Sequence, residues 1–84
     1  MVLHTVNKPA AWAECSGLIA EKDQVVMLED GVYLALSEIS QGYAIRADVE
    51  ARGLSGRLPD QVQLIDYGEF VRLCTHADKI CAWF

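Results

Sequence analysis

The sequence predicts an α/β fold: a single compact three-layer α/β/α domain over residues 1–84, with a mainly parallel sheet of about five short strands. Three observations predict it. Short continuous apolar runs alternate with stretches of helical period, which is the signature of βα units. The run from Gln24 to Leu28 is apolar without the in-and-out alternation of a half-exposed strand, as strands covered on both faces are. Brief polar turn signals separate these stretches, and no loop needs to exceed about eight residues.

Val2 to Val6 reads as the first strand and stops at Asn7-Lys8-Pro9, where Asn7 suits a cap and Pro9 is tolerated in a helix's first turn. The helix is predicted to run to about Ala20. Glu21-Lys22-Asp23 then turns the chain into Gln24 to Leu28, the central strand. Glu29-Asp30-Gly31 supplies the next turn, and Val32 to Ile39 places Val32, Leu36 and Ile39 on one helical face until Gln41-Gly42 stops it. Tyr43 to Ile45 is a short third strand, and Ala47 to Arg52 is a turn or two of helix closed by Gly53 at the C′ position. After Pro59-Asp60, Val62 to Ile65 forms a fourth strand. Asp66 is an N-cap with Glu69 as its capping-box partner, and Phe70, Val71 and Cys74 give the last helix its apolar face, ended by Asp78-Lys79. Ile80 to Phe84 is too short for periodicity to assign and is taken as a fifth strand.

A chain of 84 residues has room for one core but buries only roughly 60–65% of its unfolded surface, so a partner subunit would help it. The hydrophobic fraction of 52% is high for so short a chain and fits an extra apolar face to hide. The net charge of −5, from seven Lys and Arg against twelve Asp and Glu, comes with no basic cluster to follow a phosphate backbone. Direct nucleic-acid binding is disfavoured. No apolar run approaches the roughly 18 residues of a membrane span, and Met1 leads into a strand without a basic leader, so no membrane and a cytoplasmic address are expected. Cys15, Cys74 and Cys81 form no CxxC pair and are an odd number, which predicts free thiols.

Several chemistries are set aside. Gly53-Leu54-Ser55-Gly56-Arg57 has neither phosphate-loop nor dinucleotide spacing. Cys74, His76 and Cys81 lack the second close-spaced pair of a tetrahedral metal set, so neither metal nor cofactor is expected. No nucleophile elbow accompanies the two histidines, and His4, between Leu3 and Thr5 in a strand, reads as a satisfied structural residue. Glu29 and Asp30 are adjacent carboxylates at the carboxyl end of the central strand, where ligands of open α/β sheets bind, although Asp30-Gly31 is also ordinary turn chemistry. Cys15 is open to two readings. A sulfur carrier needs one exposed thiolate able to attack an incoming persulfide and pass the sulfur on, whereas Trp12, Cys15, Leu18 and Ile19 share a stripe that would pack the thiol inside.

Four segments lie where apolar runs turn polar: Leu3-His4-Thr5-Val6-Asn7-Lys8, Leu28-Glu29-Asp30-Gly31-Val32-Tyr33, Asp48-Val49-Glu50-Ala51-Arg52-Gly53-Leu54, and Leu64-Ile65-Asp66-Tyr67 with Phe70-Val71. With the ending Ile80-Cys81-Ala82-Trp83-Phe84, the set resembles the DsrH/TusB family of small cytoplasmic sulfur-relay subunits. The resemblance implies a DsrE/F/H-like fold and a non-catalytic or sulfur-carrying subunit of a sulfurtransferase complex. Its partners would be two related subunits of DsrE/TusD and DsrF/TusC type in a heterohexamer, together with persulfide donor and acceptor proteins, the principal sulfur-accepting cysteine lying on the DsrE/TusD subunit. In the TusB setting the sulfur serves 2-thiolation of a tRNA wobble uridine, and in the DsrH setting sulfur oxidation. DsrH-type members carry a cysteine on the first helix, and Cys15, fourteen residues before Glu29, resembles that register. The chain departs from the family pattern in a first helix about one turn short at its start and a trimmed segment between Leu36 and Tyr43.

A rival reading is a free-standing small-molecule-binding module or small hydrolase using a crevice at Glu29 and Asp30 with Tyr33 as its wall. A purely structural subunit, in which no residue does chemistry, is a third. Trp83 and Phe84 place two large apolar side chains at the end of the chain and are the candidate interface anchors, with folding back onto their own domain as the alternative.

Overall fold

The computed structural model describes residues 1–84 and contains one five-stranded sheet. Strands β1 (Val2–Val6), β2 (Gln24–Met27), β3 (Gly42–Ile45), β4 (Val62–Ile65) and β5 (Lys79–Trp83) lie in the order β4-β3-β2-β1-β5. Every pairing is parallel. The predicted α/β sandwich is therefore present, with Val25 to Met27 in the central strand, and its sheet is wholly rather than mainly parallel.

Alternation along the strands divides the core into two layers, since successive side chains point to opposite faces. Val25 and Met27 of β2 join Val6, Ala44 and Val62 in the larger cluster. Val26 joins Leu3, Ile45 and Ile65 in the smaller one. The larger cluster is closed by the first helical segment, by a 3₁₀ helix over Glu29–Leu36 and by α2 (Arg46–Ala51), which contribute Ala11, Cys15, Val32, Ala35 and Val49. The smaller is closed by α3 (Tyr67–His76) alone, through Phe70, Leu73, Cys74 and, just past its end, Ala77.

The helices depart from the predicted pattern in instructive ways. Instead of one helix to Ala20, the first segment is a 3₁₀ turn at Pro9–Ala11, a four-residue α1 at Trp12–Cys15 and a second 3₁₀ turn at Ser16–Leu18. Ser16-Gly17 is a poor continuation for an α-helix. A 3₁₀ turn advances about 120° per residue rather than about 100°, so over three residues Leu18 swings about 60° off the stripe. It is 64% exposed, while Ala11 and Cys15 stay buried. Asn7 does not cap: the N-cap residue is Lys8 without a side-chain bond, and Asn7 Oδ1 is buried with no partner.

The stretch predicted as an α-helix over Val32 to Ile39 is the 3₁₀ helix, and it begins at Glu29. With three residues per turn its side chains stack in three rows. Gly31 with Leu34, and Val32 with Ala35, are buried; Asp30, Tyr33 and Leu36 form the outer row. Leu36 is thus exposed rather than in the core, because the period is 3.0 and not 3.6. Gly31 fixes this packing, since a Cβ there would lie 2.1 Å from the carbonyl oxygen of Val6. In α3, Asp66 accepts from the Glu69 N–H at 2.7 Å and Glu69 Oε1 accepts from the Asp66 N–H at 3.2 Å, the predicted capping box. Its inward stripe includes the half-buried Leu73 but not Val71, which is exposed, and the helix stops at His76, so that Lys79 belongs to β5.

Candidate functional site

Strands β3 and β4 are neighbours, yet their following helices leave to opposite faces: α2 packs through Val49 into the larger cluster and α3 through Phe70 against the smaller. That divergence opens the sheet's carboxyl edge at this point, the location where open α/β sheets place binding surfaces. Three of the four segments singled out in the sequence converge there. β2 ends into Glu29, α2 begins with Arg46 and carries Asp48 in its first turn, and α3 begins with Tyr67.

The polar contacts tie these segments together. The Glu29 N–H donates to Asp48 Oδ2 at 2.7 Å while Glu29 itself holds a left-handed φ of 50°. Such a backbone is uncommon for a residue other than glycine, and the Asp48 carboxylate is what meets the amide it presents. Arg52 donates from Nε to Asp30 Oδ1 at 2.9 Å and from Nη1 to the Asp48 carbonyl at 3.1 Å, and it stands 3.8 Å from Asp48 Oδ1. Asp30, beside it first of all, raises the Arg52 pKa above its ordinary value. Burial, reinforced by the carboxylates of Asp48 and Glu29, pushes the Tyr67 phenol up, so its hydroxyl stays a donor among acids.

Glu29 and Asp30 therefore lie where the sequence places them, at the carboxyl end of the central strand. The crevice expected around them is an open charged surface: none of the three grooves on the molecule is lined by either residue. Tyr33 stands on its rim, 41% exposed, and its groove runs the other way, with Pro9, Trp12, Ala13 and Leu34. Asp48, Arg52 and Tyr67 complete the surface and were not individually foreseen. Asp48 and Arg52 at the i, i+4 spacing carried a detectable signal for a helical ion pair; Tyr67 carried none beyond following a strand.

The thiols lie elsewhere. Cys15 is fully buried in the larger cluster, where burial first, and the Glu14 charge after it, push its pKa up against the lowering effect of a backbone hydrogen bond. Cys74 is half-buried on α3, and Cys81 is half-buried on β5. No group of three His, Cys, Asp or Glu side chains is arranged to hold a metal ion, and no helix is long and apolar enough to cross a membrane.

A second constellation surrounds His4. Its Nε2 lies 2.9 Å from Asp23 Oδ2, and Asp23 also accepts from the N–H groups of Ala20 and Val2 at 3.0 and 3.3 Å. Trp83 Nε1 donates to His4 Nδ1 at 3.1 Å, and the rings stack with centroids 6.3 Å apart. His4 is the satisfied structural residue the sequence predicts. Of the two terminal aromatics, Trp83 is half-buried on its own domain and Phe84 is 69% exposed, so Phe84 is the one left facing outward.

The family model described as DsrH like protein matches residues 7–80. This chain belongs to the DsrH-like family. Its relatives include Protein TusB of Salmonella paratyphi B, 34% identical over 98% of this chain and all of that protein, and Protein TusB of Pectobacterium parmentieri, 35% identical over the same shares. Protein TusB of Photorhabdus laumondii is 37% identical over 81% of this chain and 82% of its own. The first two alignments extend over 95 positions, more than the 84 residues of this DsrH-like chain, so gaps in it are part of the match. The crystal structure of the ychN protein from E. coli superposes with a TM-score of 0.70 over 98% of this chain and 97% of that one, at 15% identity, and supports the fold.

Proposed function

We propose that this DsrH-like chain is an accessory, non-catalytic subunit of a cytoplasmic sulfur-relay assembly that passes persulfide sulfur between protein cysteines. Its partners are two related subunits of DsrE/TusD and DsrF/TusC type in a heterohexamer, with persulfide donor and acceptor proteins on either side. The observation that carries the reading is the convergence of Glu29, Asp30, Asp48, Arg52 and Tyr67 on one open edge without a thiol among them. That edge has the form of a surface for another protein. A hydrolase would need an enclosed pocket and a nucleophile beside a free base, and here Asp30 is paired to Arg52 and Asp48 is engaged by Glu29. The names of the curated relatives favour the TusB setting, in which the sulfur serves 2-thiolation of a tRNA wobble uridine.

Within that reading Cys15 carries sulfur only if it is uncovered. The Cys15 thiolate would attack the outer sulfur of a donor persulfide; the donor's S–S bond breaks, its thiolate leaves, and a persulfide forms on Cys15. Burial opposes both the thiolate and the approach, although the Ser16–Leu18 turn beside it buries no residue of its own. The test is to incubate the assembled complex with a persulfide donor and weigh the peptide holding Cys15. An added sulfur there, with slower transfer in Cys15→Ser, supports a carrier. An unmodified peptide with unchanged transfer leaves Cys15 a packing residue. The relay reading itself fails if a strain lacking this chain keeps its full content of 2-thiouridine at the wobble position and oxidises sulfur normally.

A further inference from the structure

The contact between Trp83 and His4 has a built-in dependence on protons. An indole N–H can only donate, so His4 Nδ1 must be the bare acceptor and the ring's single proton must sit on Nε2, facing Asp23. Nearly all of the His4 side chain is enclosed, 3% of it being exposed. A second proton has one place to go, Nδ1, and there it meets the Trp83 N–H donor head on. At the other nitrogen it turns the bond to Asp23 into an ion pair. Protonation thus exchanges one partner for the other: it breaks the bond to Trp83 while strengthening the bond to Asp23.

The geometry points to a pH-sensitive latch, in which neutral His4 holds Trp83 and the end of β5 against the sheet and the imidazolium, retained by Asp23, releases them. The last ladder step at this corner is loose already, with the Asn7 N–H 3.5 Å from the Trp83 carbonyl. The charged and titratable groups around His4 are consistent with release at Trp83 rather than expulsion of the histidine. Asp23 faces it from the turn before β2, flanked by exposed Glu21 and Lys22. Cys81 lies opposite it on β5, and exposed Lys79 lies on the same face of that strand opposite Val2. Asp23 is the group bonded to the ring, and it is an anion. The latch holds whatever the partners of the chain are.

Titrating the full isotope-labelled chain by NMR between about pH 8 and pH 5, the range in which histidine switches, tests it. The expected result is a one-proton transition in which the Trp83 indole N–H loses its hydrogen-bonded shift and residues 83–84 gain mobility, while the Trp12 indole and the amides of Val26 and Ala44 stay in place. Asp23→Asn should move the transition to lower pH, because the carboxylate beside the imidazolium is gone. Trp83→Phe should move the transition to higher pH, because the donor that competes with the second proton at Nδ1 is gone. A Trp83 indole signal that is constant across the range, a transition shared by the whole core, or midpoints that ignore both substitutions would overturn the latch.

Discussion

Trp83 and His4, 79 residues apart, are joined by a hydrogen bond of 3.1 Å that closes β5 onto β1. The relationship changes what the end of the chain does. Removing residues 82–84 takes away a side chain that packs against the larger core cluster. Trp83→Ala should destabilise the isolated chain by about 2 kcal/mol, less than a fully buried Trp would. Urea denaturation of the isolated chain measures it, and an unchanged midpoint would show that Trp83 belongs to an interface instead.

Gly31 is the tightest point of the fold. A methyl group there meets the Val6 carbonyl, a backbone atom with no rotamer to yield. Gly31→Ala should lower stability by about 1–3 kcal/mol, the range of an overpacked core. It should also disturb the amide signals of Glu29 and Asp48, which the 3₁₀ helix holds together. A neutral effect on the urea midpoint contradicts the packing described.

The α3 capping box offers a clean local test. Asp66→Ala strips the acceptor from the Glu69 N–H and should cost about 1 kcal/mol, and Asp66→Asn appreciably less. Equal losses for the two substitutions would mean that the cap is not what holds the helix start.

Asp23 sets an acid dependence. The hydrogen bond from His4 first, then that from the Ala20 N–H, holds its carboxyl below the usual carboxylate range. A depressed carboxyl stabilises the fold above its unfolded value, about 3.9, and that stabilisation is lost as pH falls through the folded value. Asp23→Asn should therefore lower Tm at every pH above the carboxylate range, with the gap to the unsubstituted protein closing below about pH 4. A gap that widens as the pH falls below about 4 has the wrong sign.

Strands were the legible part of this fold because they are short, apolar and β-branched: Val25 and Val26 announce a buried centre, and the structure places them in β2. The Asp66 and Glu69 pair was legible because both halves lie within four residues. What escaped was set by contacts far away in sequence. The 3₁₀ pitch that turns Leu36 outward answers to the approach of Gly31 to Val6. The role of Asp23 depends on His4, 19 residues distant, and that of Trp83 on the opposite end of the chain. The carboxyl-edge surface was half visible: Glu29 and Asp30 stand at a strand end that any reading marks, but Asp48, Arg52 and Tyr67 join them only because α2 and α3 leave the sheet on opposite faces.

Assembly is the central claim, and co-expression of this chain with the two related α/β subunits proposed as its partners, followed by native mass spectrometry, tests it most directly. The account expects a single species containing all three chains in equal copies, weakened when Arg52 or Tyr67 at the carboxyl edge is replaced by Ala. A stable monomer of this chain that ignores both partners at working concentration would contradict it.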